Sequence, residues 1–300
     1  RETFGKRACY EGLRWMSQEE ILNYPGLDAV AVETEMTELV PTAMRCAERG
    51  IHMHMDKPGG ENLEEFDKLL DLCRKNHVIL QMAYMFRGNP AIQFCIEAAR
   101  KGWFGQIFEV YTSMSRGRDS QPFRRWLSTY RGGGIFDFGS HLVDILISML
   151  GAPDRIVSFQ QQLDADGLND NGHAVLLYPK TIATIQTALQ QADGQRSRRL
   201  FVSGTNATFE LCPLEQGYVA YPKFNDTPLS ARFFLKEGNE SFAAGEHMLT
   251  FGPMRDRYID QLEDFAAYLR GEKQNPYTLE HEHLVQKTVL AVSGYTEWKK

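Results

Sequence analysis

The chain has 300 residues, which is enough for about two domains of typical size and for a large buried core. Its 43% hydrophobic and 24% charged residues are typical of a globular protein, and the formal charge of -6 argues against nucleic acid as a partner, because phosphate binding needs a concentrated basic surface. No apolar run approaches the ~18 residues that span a bilayer and the first residues form no apolar signal core, so we expect a cytoplasmic protein without a membrane partner.

Helical and strand-like patterns alternate through residues 1–85. Ser17 is followed three positions later by Glu20, a capping-box signature that predicts a short helix over residues 17–24. The patterns that follow predict a strand at 27–34, a helix at 38–49, a strand at 51–55, a helix at 63–76 and a strand at 78–84. Such an alternation builds a parallel sheet with right-handed crossovers. Residues 1–86 are therefore predicted to form an α/β domain of the Rossmann type.

From Asn89 onward the pattern changes to strands joined by short turns. After a helix at 90–101, strands are predicted at 107–112, 172–178, 182–188, 199–203 and 207–211. Short connections without intervening helices imply antiparallel pairing. Residues 87–300 are therefore predicted to form an α/β domain with a large, mostly antiparallel open sheet.

The remainder of the chain is less regular. Residues 216–250 are predicted as irregular loops, because Pro222, Asn225-Asp226 and Pro228 interrupt them. Two helices are predicted at 254–269 and 279–298. The first has apolar residues at helical spacing on a face that we expect to be buried, namely Ile259, Leu262, Phe265, Ala266 and Leu269.

Asp56-Lys57-Pro58 is the first stretch that indicates chemistry. It follows the strand at 51–55 and precedes Gly59-Gly60, which reads as a turn. A lysine at the carboxyl end of such a strand lies where α/β sheets open a crevice for ligands. Taken alone, Lys57 would more often be a solvated lysine.

The second stretch runs from Gly132 to Asp144. If Asp137 opens a helix, Asp137 and His141 lie at i and i+4 on one face, where the carboxylate can orient the imidazole and keep its pKa near neutrality. Such a pair suits acid/base catalysis. An equally good interpretation is that Asp137 caps the helix and His141 is an ordinary surface histidine. The glycines at 132–134 permit either close approach of a ligand or a flexible turn.

Together these stretches resemble the Gfo/Idh/MocA oxidoreductase family, which pairs a Rossmann domain with an α/β domain containing an open, mainly antiparallel sheet. The family's Glu-Lys-Pro motif matches Asp56-Lys57-Pro58, and the segment from Thr34 to that motif has the family's length. Asp137-x-x-x-His141 matches its second motif. This chain also resembles the family at the junction between the two domains, through Tyr84, Arg87, Asn89 and Pro90. The resemblance covers nearly all of the chain.

The resemblance implies an NAD(P)-dependent oxidoreductase that transfers a hydride between nicotinamide and a sugar, inositol or related polyol. Lys57 would bind near the nicotinamide and the reacting hydroxyl, His141 would remove the hydroxyl proton, and Asp137 would orient His141 or bond the substrate. The cofactor, NAD or NADP, would contact Thr34, Asp56, Lys57 and Pro58, and the substrate would contact Tyr84 and Arg87. A homo-oligomer formed through the antiparallel sheet is expected.

The sequence departs from the family pattern in two ways. Asp56 stands where the family motif has a glutamate, so its side chain is shorter by one methylene. No Gly-x-Gly-x-x-Gly follows a first strand, and no acidic residue follows a second strand to bind the ribose. We expect the sequence to be an N-terminally incomplete piece, with a partial Rossmann domain over residues 1–86; the alternative is a member that has lost cofactor binding.

Histidine and cysteine patterns give no strong metal signal. His52 and His54 share a strand face, and His281 and His283 have the same spacing, but no third ligand follows either pair at suitable spacing. The five cysteines are widely spaced and without a Cys-x-x-Cys pair, which favours reduced, buried thiols. No metal site is predicted.

Aromatic and basic residues precede the glycines, namely Arg124, Arg125, Trp126, Tyr130 and Arg131. They form either a pocket for a hydroxylated or acidic substrate, with Trp126 and Tyr130 as substrate contacts, or a polar loop around one buried tryptophan.

Two other functions stay open beside the dehydrogenase. One is a glycoside hydrolase or lyase in which bound NAD oxidises the sugar only transiently, and the other is a non-catalytic sugar-binding or regulatory protein.

Overall fold

The first half of the fold is built around a small parallel sheet. The computed structural model describes residues 11–216, 228–252 and 256–300. Within them the chain forms, in order, α1 (Gln18–Leu22), β1 (Ala29–Val32), α2 (Met36–Glu48), β2 (His52–Met55), α3 (Leu63–Lys75) and β3 (Leu80–Met82). The strands pair in parallel in the order β1-β2-β3. The predicted alternation and the Ser17 capping box before α1 are both confirmed.

The helices of this half pack through stripes that their sequences encode. α3 buries Phe66, Leu69, Leu70 and Cys73, which recur at helical spacing, and leaves its acidic and basic residues in solvent. Asn62 caps the helix, since its side chain accepts a hydrogen bond from the Glu64 amide. The helix therefore starts directly after the loop that carries Lys57.

The second half holds an eight-stranded sheet. Its strands are β4 (Ile107–Ser113), β5 (Arg155–Gln161), β6 (Asn171–Leu177), β7 (Ile182–Ala188), β8 (Arg199–Gly204), β9 (Ala207–Leu211), β10 (Ser230–Leu235) and β11 (Gly245–Thr250). Their order is β11-β10-β9-β8-β4-β7-β6-β5. All neighbours are antiparallel except β4 and β7, which are parallel. The predicted mostly antiparallel sheet is confirmed.

Helices cover one face of the large sheet and connect it to the small one. They are α4 (Pro90–Arg100), α5 (Gln121–Leu127), α6 (Gly133–Asp137), α7 (Gly139–Leu150), α8 (Ile259–Leu269) and α9 (Leu279–Val292), and a 3-10 helix spans Met85–Gly88. α7 packs on β4 and β7, while α9 packs on α7, α3 and β3. α9 therefore reaches both halves of the molecule, and the edge between the sheets is where the predicted site residues meet.

Several element predictions are wrong in detail. β10 and β11 form within residues predicted as irregular loops, and Pro222 and Asn225-Asp226 lie outside the described residues. β11 alternates half-exposed and exposed residues, so no apolar pattern marks it. β5 has a similarly exposed pattern and was not predicted.

The buried face of α8 also differs from the prediction. Ile259 and Leu262 are 40% and 43% exposed, whereas Gln261, Phe265 and Tyr268 are buried. The helix turns this face towards the small sheet, where the rings of Phe265 and His54 lie 6.2 Å apart. The predicted start of this helix at 254 lies outside the described residues.

Two sequence predictions concern the molecule as a whole. The predicted domain boundary at residue 86 falls in the 3-10 helix between the two sheets, and it stays a prediction. Among the helices that the structure describes, none combines the length and apolar character needed to cross a membrane.

Candidate active site

Lys57 and Asp137 form an ion pair at the edge between the sheets. Lys57 follows the carboxyl end of β2, and Asp137 is the last residue of α6. Lys57 Nζ lies 2.5 Å from Asp137 Oδ1 and 3.0 Å from the Asp137 carbonyl oxygen. The two side chains are only 12% and 13% exposed. The ammonium group is therefore held in one place by two acceptors of the same residue.

The predicted pairing of Asp137 with His141 is wrong in its geometry. Asp137 does not open a helix; it ends α6, and a new helix begins at Gly139 after a break at Phe138. Its carboxylate bonds Lys57, and its carbonyl also accepts from the Ser140 hydroxyl at 2.8 Å. The sequence spacing suggested one helix, but the helix is interrupted at Phe138 between the two residues.

The glycines at the start of α6 pack tightly against neighbouring loops. A Cβ at Gly133, where φ is +49°, would lie 2.3 Å from the Asn169 carbonyl oxygen, and one at Gly134 would lie 2.9 Å from Leu189. α6 therefore approaches the loops beside β6 and β7 more closely than any side chain permits. These glycines serve helix packing, which neither sequence interpretation anticipated.

His141 is a buried, neutral imidazole. It lies in the first turn of α7, is 4% exposed, and contacts the rings of Tyr84 and Phe86 edge-on at 6.0 Å and 5.9 Å. Burial lowers its pKa well below the ordinary 6.5, and the nearby charges of Lys57 and three arginines lower it further. The expectation of a pKa near neutrality is wrong, because the ring is buried and nearby positive charges add to the effect of burial.

A backbone contact selects the resting tautomer of His141. Its Nδ1 accepts a hydrogen bond from the Met85 amide at 3.3 Å. A neutral imidazole that accepts at Nδ1 carries its proton on Nε2. At rest Nε2 is therefore a donor, and His141 can take up a proton there only if the Met85 contact opens.

Arg87 is held by buried partners, and its predicted contact with the substrate stays a prediction. Its five N–H groups all donate to buried partners: Asp144, Glu282 and the Met82 carbonyl, at 2.7–3.2 Å. The guanidinium carbon lies 5.0 Å and 3.8 Å from the ring centroids of Tyr84 and Tyr277. Tyr84 is likewise buried, at 1% exposure. Both residues contribute to the junction between the sheets.

Removing the Arg87 charge is expected to destabilise the fold strongly. Burial acts to raise the pKa of Asp144, but the charge and hydrogen bonds of Arg87, together with His281, lower this pKa below its ordinary value. Arg87→Met removes the guanidinium shared by the buried carboxylates of Asp144 and Glu282, so we expect about 3–5 kcal/mol less stability in urea unfolding near neutral pH. The matched control is Arg270→Met, which removes an exposed pair with Glu272 and should change little. Equal midpoints for the two variants would contradict this account.

A cavity of about 170 Å³ lies at the carboxyl ends of β1, β2 and β3. Its polar lining comes from Glu33, His54, Asp56 and Tyr258. Burial lowers the pKa of His54 to about 4, so the ring is neutral, and burial raises the pKa of Asp56. His54 Nε2 is buried without a direct hydrogen-bond partner among the described residues, although the nearby Gln261 side chain acts to raise the pKa of the ring. A ligand polar group could satisfy this nitrogen.

Thr34 and Pro58 lie around this region without lining the cavity. Thr34 is exposed, its hydroxyl donates to the Glu35 carbonyl at 3.2 Å, and it borders a neighbouring cavity beside β1 and α2. Pro58 is buried directly after Lys57. Of the four residues expected at the cofactor, only Asp56 lines the cavity that contains the unpaired His54 nitrogen.

Trp126 and Tyr130 close the opposite side of the Lys57 loop. Trp126 Nε1 donates to Glu35 at 3.2 Å, and its ring lies 5.3 Å from that of Tyr130. Tyr130 lines a cavity of about 220 Å³ together with Gly60 and Glu61. Arg124, in contrast, is buried in ion pairs and is not part of this cavity.

The histidine pairs do not converge on a common ligand. His281 bonds Asp144 at 3.1 Å and His283 bonds Asp67 at 2.6 Å, while His52 Nδ1 accepts from the Ile79 amide at 2.9 Å. Within the described ranges, no group of three or more His, Cys, Asp or Glu side chains could hold a metal ion.

Sequence reasoning missed the polar residues of α9 and α7 that support the site. Glu282 and Gln286 are each 1% exposed, and Asp144 is 3% exposed. A glutamate and a glutamine in a helix normally indicate a solvent-exposed face, so their residue types did not indicate that Glu282 and Gln286 are buried. Their spacing of four residues was the one available hint that they share a face.

Sequence comparisons identify related proteins. Residues 2–84 match an oxidoreductase family with an NAD-binding Rossmann fold, and residues 92–210 match the GFO/IDH/MocA C-terminal domain. The chain is 24% identical over 280 residues to D-xylose 1-dehydrogenase (NADP(+)) 2 of Haloferax volcanii, covering 92% of this chain and 80% of that protein. It is 29% identical over 141 residues to scyllo-inositol 2-dehydrogenase (NAD(+)) of Bacillus subtilis, covering 46% of this chain and 40% of that protein.

A solved structure shows the same architecture. Levoglucosan dehydrogenase in complex with NADH and levoglucosan superimposes with a TM-score of 0.74 at 14% sequence identity, covering 92% of this chain and 79% of that chain. At this identity the likeness concerns the fold alone.

Proposed function

Because this chain belongs to the Gfo/Idh/MocA family of oxidoreductases, we propose that it is a nicotinamide-dependent dehydrogenase of a sugar, inositol or related polyol. The observation that carries the proposal is the placement of Lys57, Asp137 and His141 at one edge between the sheets. Lys57 is close enough to His141 for its charge to lower the imidazole pKa. A cation and an imidazole beside one another suit the oxidation of a hydroxyl group.

The cavity at the ends of β1, β2 and β3 fits part of a nicotinamide cofactor. Asp56 would accept hydrogen bonds from ribose hydroxyls, and the unpaired His54 Nε2 would bond a polar atom of the cofactor. Thr34 and Pro58 would flank this site. When bound, the nicotinamide supplies the hydride acceptor or donor.

Lys57 and His141 would act on the reacting oxygen. The ammonium of Lys57 stabilises negative charge that develops on this oxygen as its proton leaves. His141 Nε2 accepts the proton, for which the ring must carry its other proton on Nδ1 and the Met85 contact must open. Asp137 holds Lys57 in position, and Trp126 with Tyr130 borders the bound substrate.

Titration and turnover test this function directly. The protein would be titrated with NAD and with NADP by fluorescence and calorimetry, and then assayed with xylose, scyllo-inositol and myo-inositol. Stoichiometric formation of reduced cofactor and oxidised polyol is the expected result. Turnover of a glycoside without net cofactor reduction would replace the dehydrogenase with a hydrolase or lyase, and absence of cofactor binding would contradict both.

We further propose that the open face of the large sheet pairs with a second copy of the chain. Exposed apolar side chains on this face include Phe159, Ile182, Phe234 and Met248, which are 38–64% exposed. Sedimentation velocity at micromolar concentration should show a dimer or larger assembly, and Ile182→Lys should weaken it because a charge would be buried. Ile259→Lys on α8 is the matched control and should leave the assembly intact. A monomeric wild-type protein would contradict this proposal.

A further inference from the structure

Gln286 of α9 bonds the loop that carries Lys57. The side chain is 1% exposed. Its Oε1 accepts from the Gly59 amide at 2.8 Å, and its Nε2 donates to the Gly60 carbonyl at 2.7 Å. One amide therefore satisfies two backbone groups of the residues that follow Lys57-Pro58, although 227 residues separate it from Gly59.

The glycine loop depends on this contact for its conformation. A Cβ at Gly59 would lie 2.5 Å from Phe66 and 3.1 Å from the Gln286 side chain, so only glycine fits there. Gly60 adopts φ of +80°. Two adjacent glycines lose more conformational freedom than other residues when they are fixed. The two hydrogen bonds from Gln286 offset that loss and select one loop conformation.

The loop conformation in turn determines where Lys57 lies. On its amino side, the Lys57 amide donates to Asp56 Oδ1 at 2.8 Å. On its carboxyl side, the next fixed backbone positions are Gly59 and Gly60. Lys57 is therefore held between these two anchors, with its ammonium against Asp137.

One turn earlier, α9 makes a parallel contact to the neighbouring strand end. Glu282 accepts from the Met82 amide at 3.0 Å and from Arg87 at 2.7 Å. Glu282 and Gln286 thus lie on one helical face and each bonds the chain that follows a strand of the small sheet. α9 aligns the Lys57 loop through Gln286 and the junction beside His141 through Glu282.

We propose that Gln286 is a positioning residue that sets the location of the Lys57 ammonium for hydride transfer. The proposal rests on the function assigned to Lys57 above. It predicts a defect in kcat rather than in cofactor or substrate affinity, because Gln286 acts on the placement of a catalytic group and contacts no ligand itself.

Three variants separate positioning from general stability. Gln286→Met keeps the length of the side chain and removes both hydrogen bonds, so kcat should fall by about 10²-fold with little change in KM. Gln286→Glu is the conservative variant described below. The matched control is Thr288→Val on the same helix: Thr288 is 0% exposed and bonds only the Leu284 carbonyl of its own helix, so kcat should remain near the wild-type value.

Gln286→Glu gives a pH signature that a structural role would not produce. A protonated carboxyl group can accept from the Gly59 amide and donate to the Gly60 carbonyl, whereas an ionised carboxylate can only accept. Burial raises the pKa of such a glutamate. Relative to wild type, kcat of this variant should therefore be restored below that pKa and should fall as the pH rises through it, while Gln286→Met shows no such recovery.

A chemical readout tests the placement of Lys57 without relying on turnover. Acylation of Lys57 by an amine-reactive reagent, followed by mass spectrometry, should be several-fold faster in Gln286→Met than in wild type or Thr288→Val. Unchanged Lys57 reactivity in folded Gln286→Met would overturn the positioning role. A different outcome would separate the two proposals. If Lys57 is acylated faster in Gln286→Met but the wild-type protein oxidises no polyol, the positioning role of Gln286 is supported and the proposed function is contradicted.

Discussion

Lys57→Met is expected to lower kcat by about 10²–10³-fold, because the variant loses the cation that stabilises charge on the reacting oxygen. Methionine has a similar length, so the buried stem keeps its packing. Asp137 loses its partner in this variant, whereas Asp137→Asn retains an oxygen that can accept from Lys57 and should be milder. Steady-state kinetics with saturating cofactor would measure the difference.

Lys273→Met is the matched control for Lys57. Lys273 Nζ lies 2.6 Å from Asp264, but the two side chains are 54% and 42% exposed and lie outside the site. The control removes a similar ion pair from the surface and should leave kcat unchanged. Near-normal turnover of Lys57→Met, with cofactor binding intact, would refute the role assigned to Lys57.

His141→Asn should lower kcat by about 10²–10⁴-fold, since the reaction loses its proton acceptor. Asparagine places an oxygen near the position of Nδ1, so the Met85 amide keeps an acceptor while Nε2 is removed. The matched control is His52→Asn, because His52 Nδ1 also accepts from a backbone amide, that of Ile79. Equal turnover in these two variants would exclude His141 as the base.

The depressed pKa of His141 also predicts a pH dependence of stability. Burial and the surrounding cations hold the folded-state pKa well below the ordinary 6.5. As the pH falls below 6.5, the unfolded chain binds a proton that the folded protein refuses, so stability falls towards acid until the folded pKa is reached. His141→Asn lacks this contribution and should lose less stability between about pH 7 and pH 5 in urea unfolding. The prediction is contradicted if the stability of the wild-type protein falls no more than that of His141→Asn over this pH range.

Local sequence patterns predicted most of the elements. The Ser17 capping box, the alternation of apolar strands with helices in residues 1–85, and the short turns that join β6 to β7 and β8 to β9 all act between neighbours in the chain. Strands with weak apolar alternation, such as β11, were missed because pairing with β10 rather than burial defines them.

Site prediction from sequence was accurate in placing Lys57 at a strand end and wrong about its partner. Asp137 and His141 are four residues apart, which suggested one helical face. In the structure α6 ends at Asp137 and α7 begins at Gly139, so the two residues belong to separate helices. Lys57, 80 residues away, then becomes the partner of Asp137.

The sequence by itself determined the alternation of strands and helices in residues 1–85, the glycine turn after Lys57 and the motifs that identify the family, because these follow from local spacing and residue type. Only the tertiary structure decided which polar side chains are buried. Arg87 with Glu282 and Gln286 with Gly59 are separated by 195 and 227 residues. Isolated polar residues in a helix favour water, and they become buried only where a distant segment supplies matching donors and acceptors.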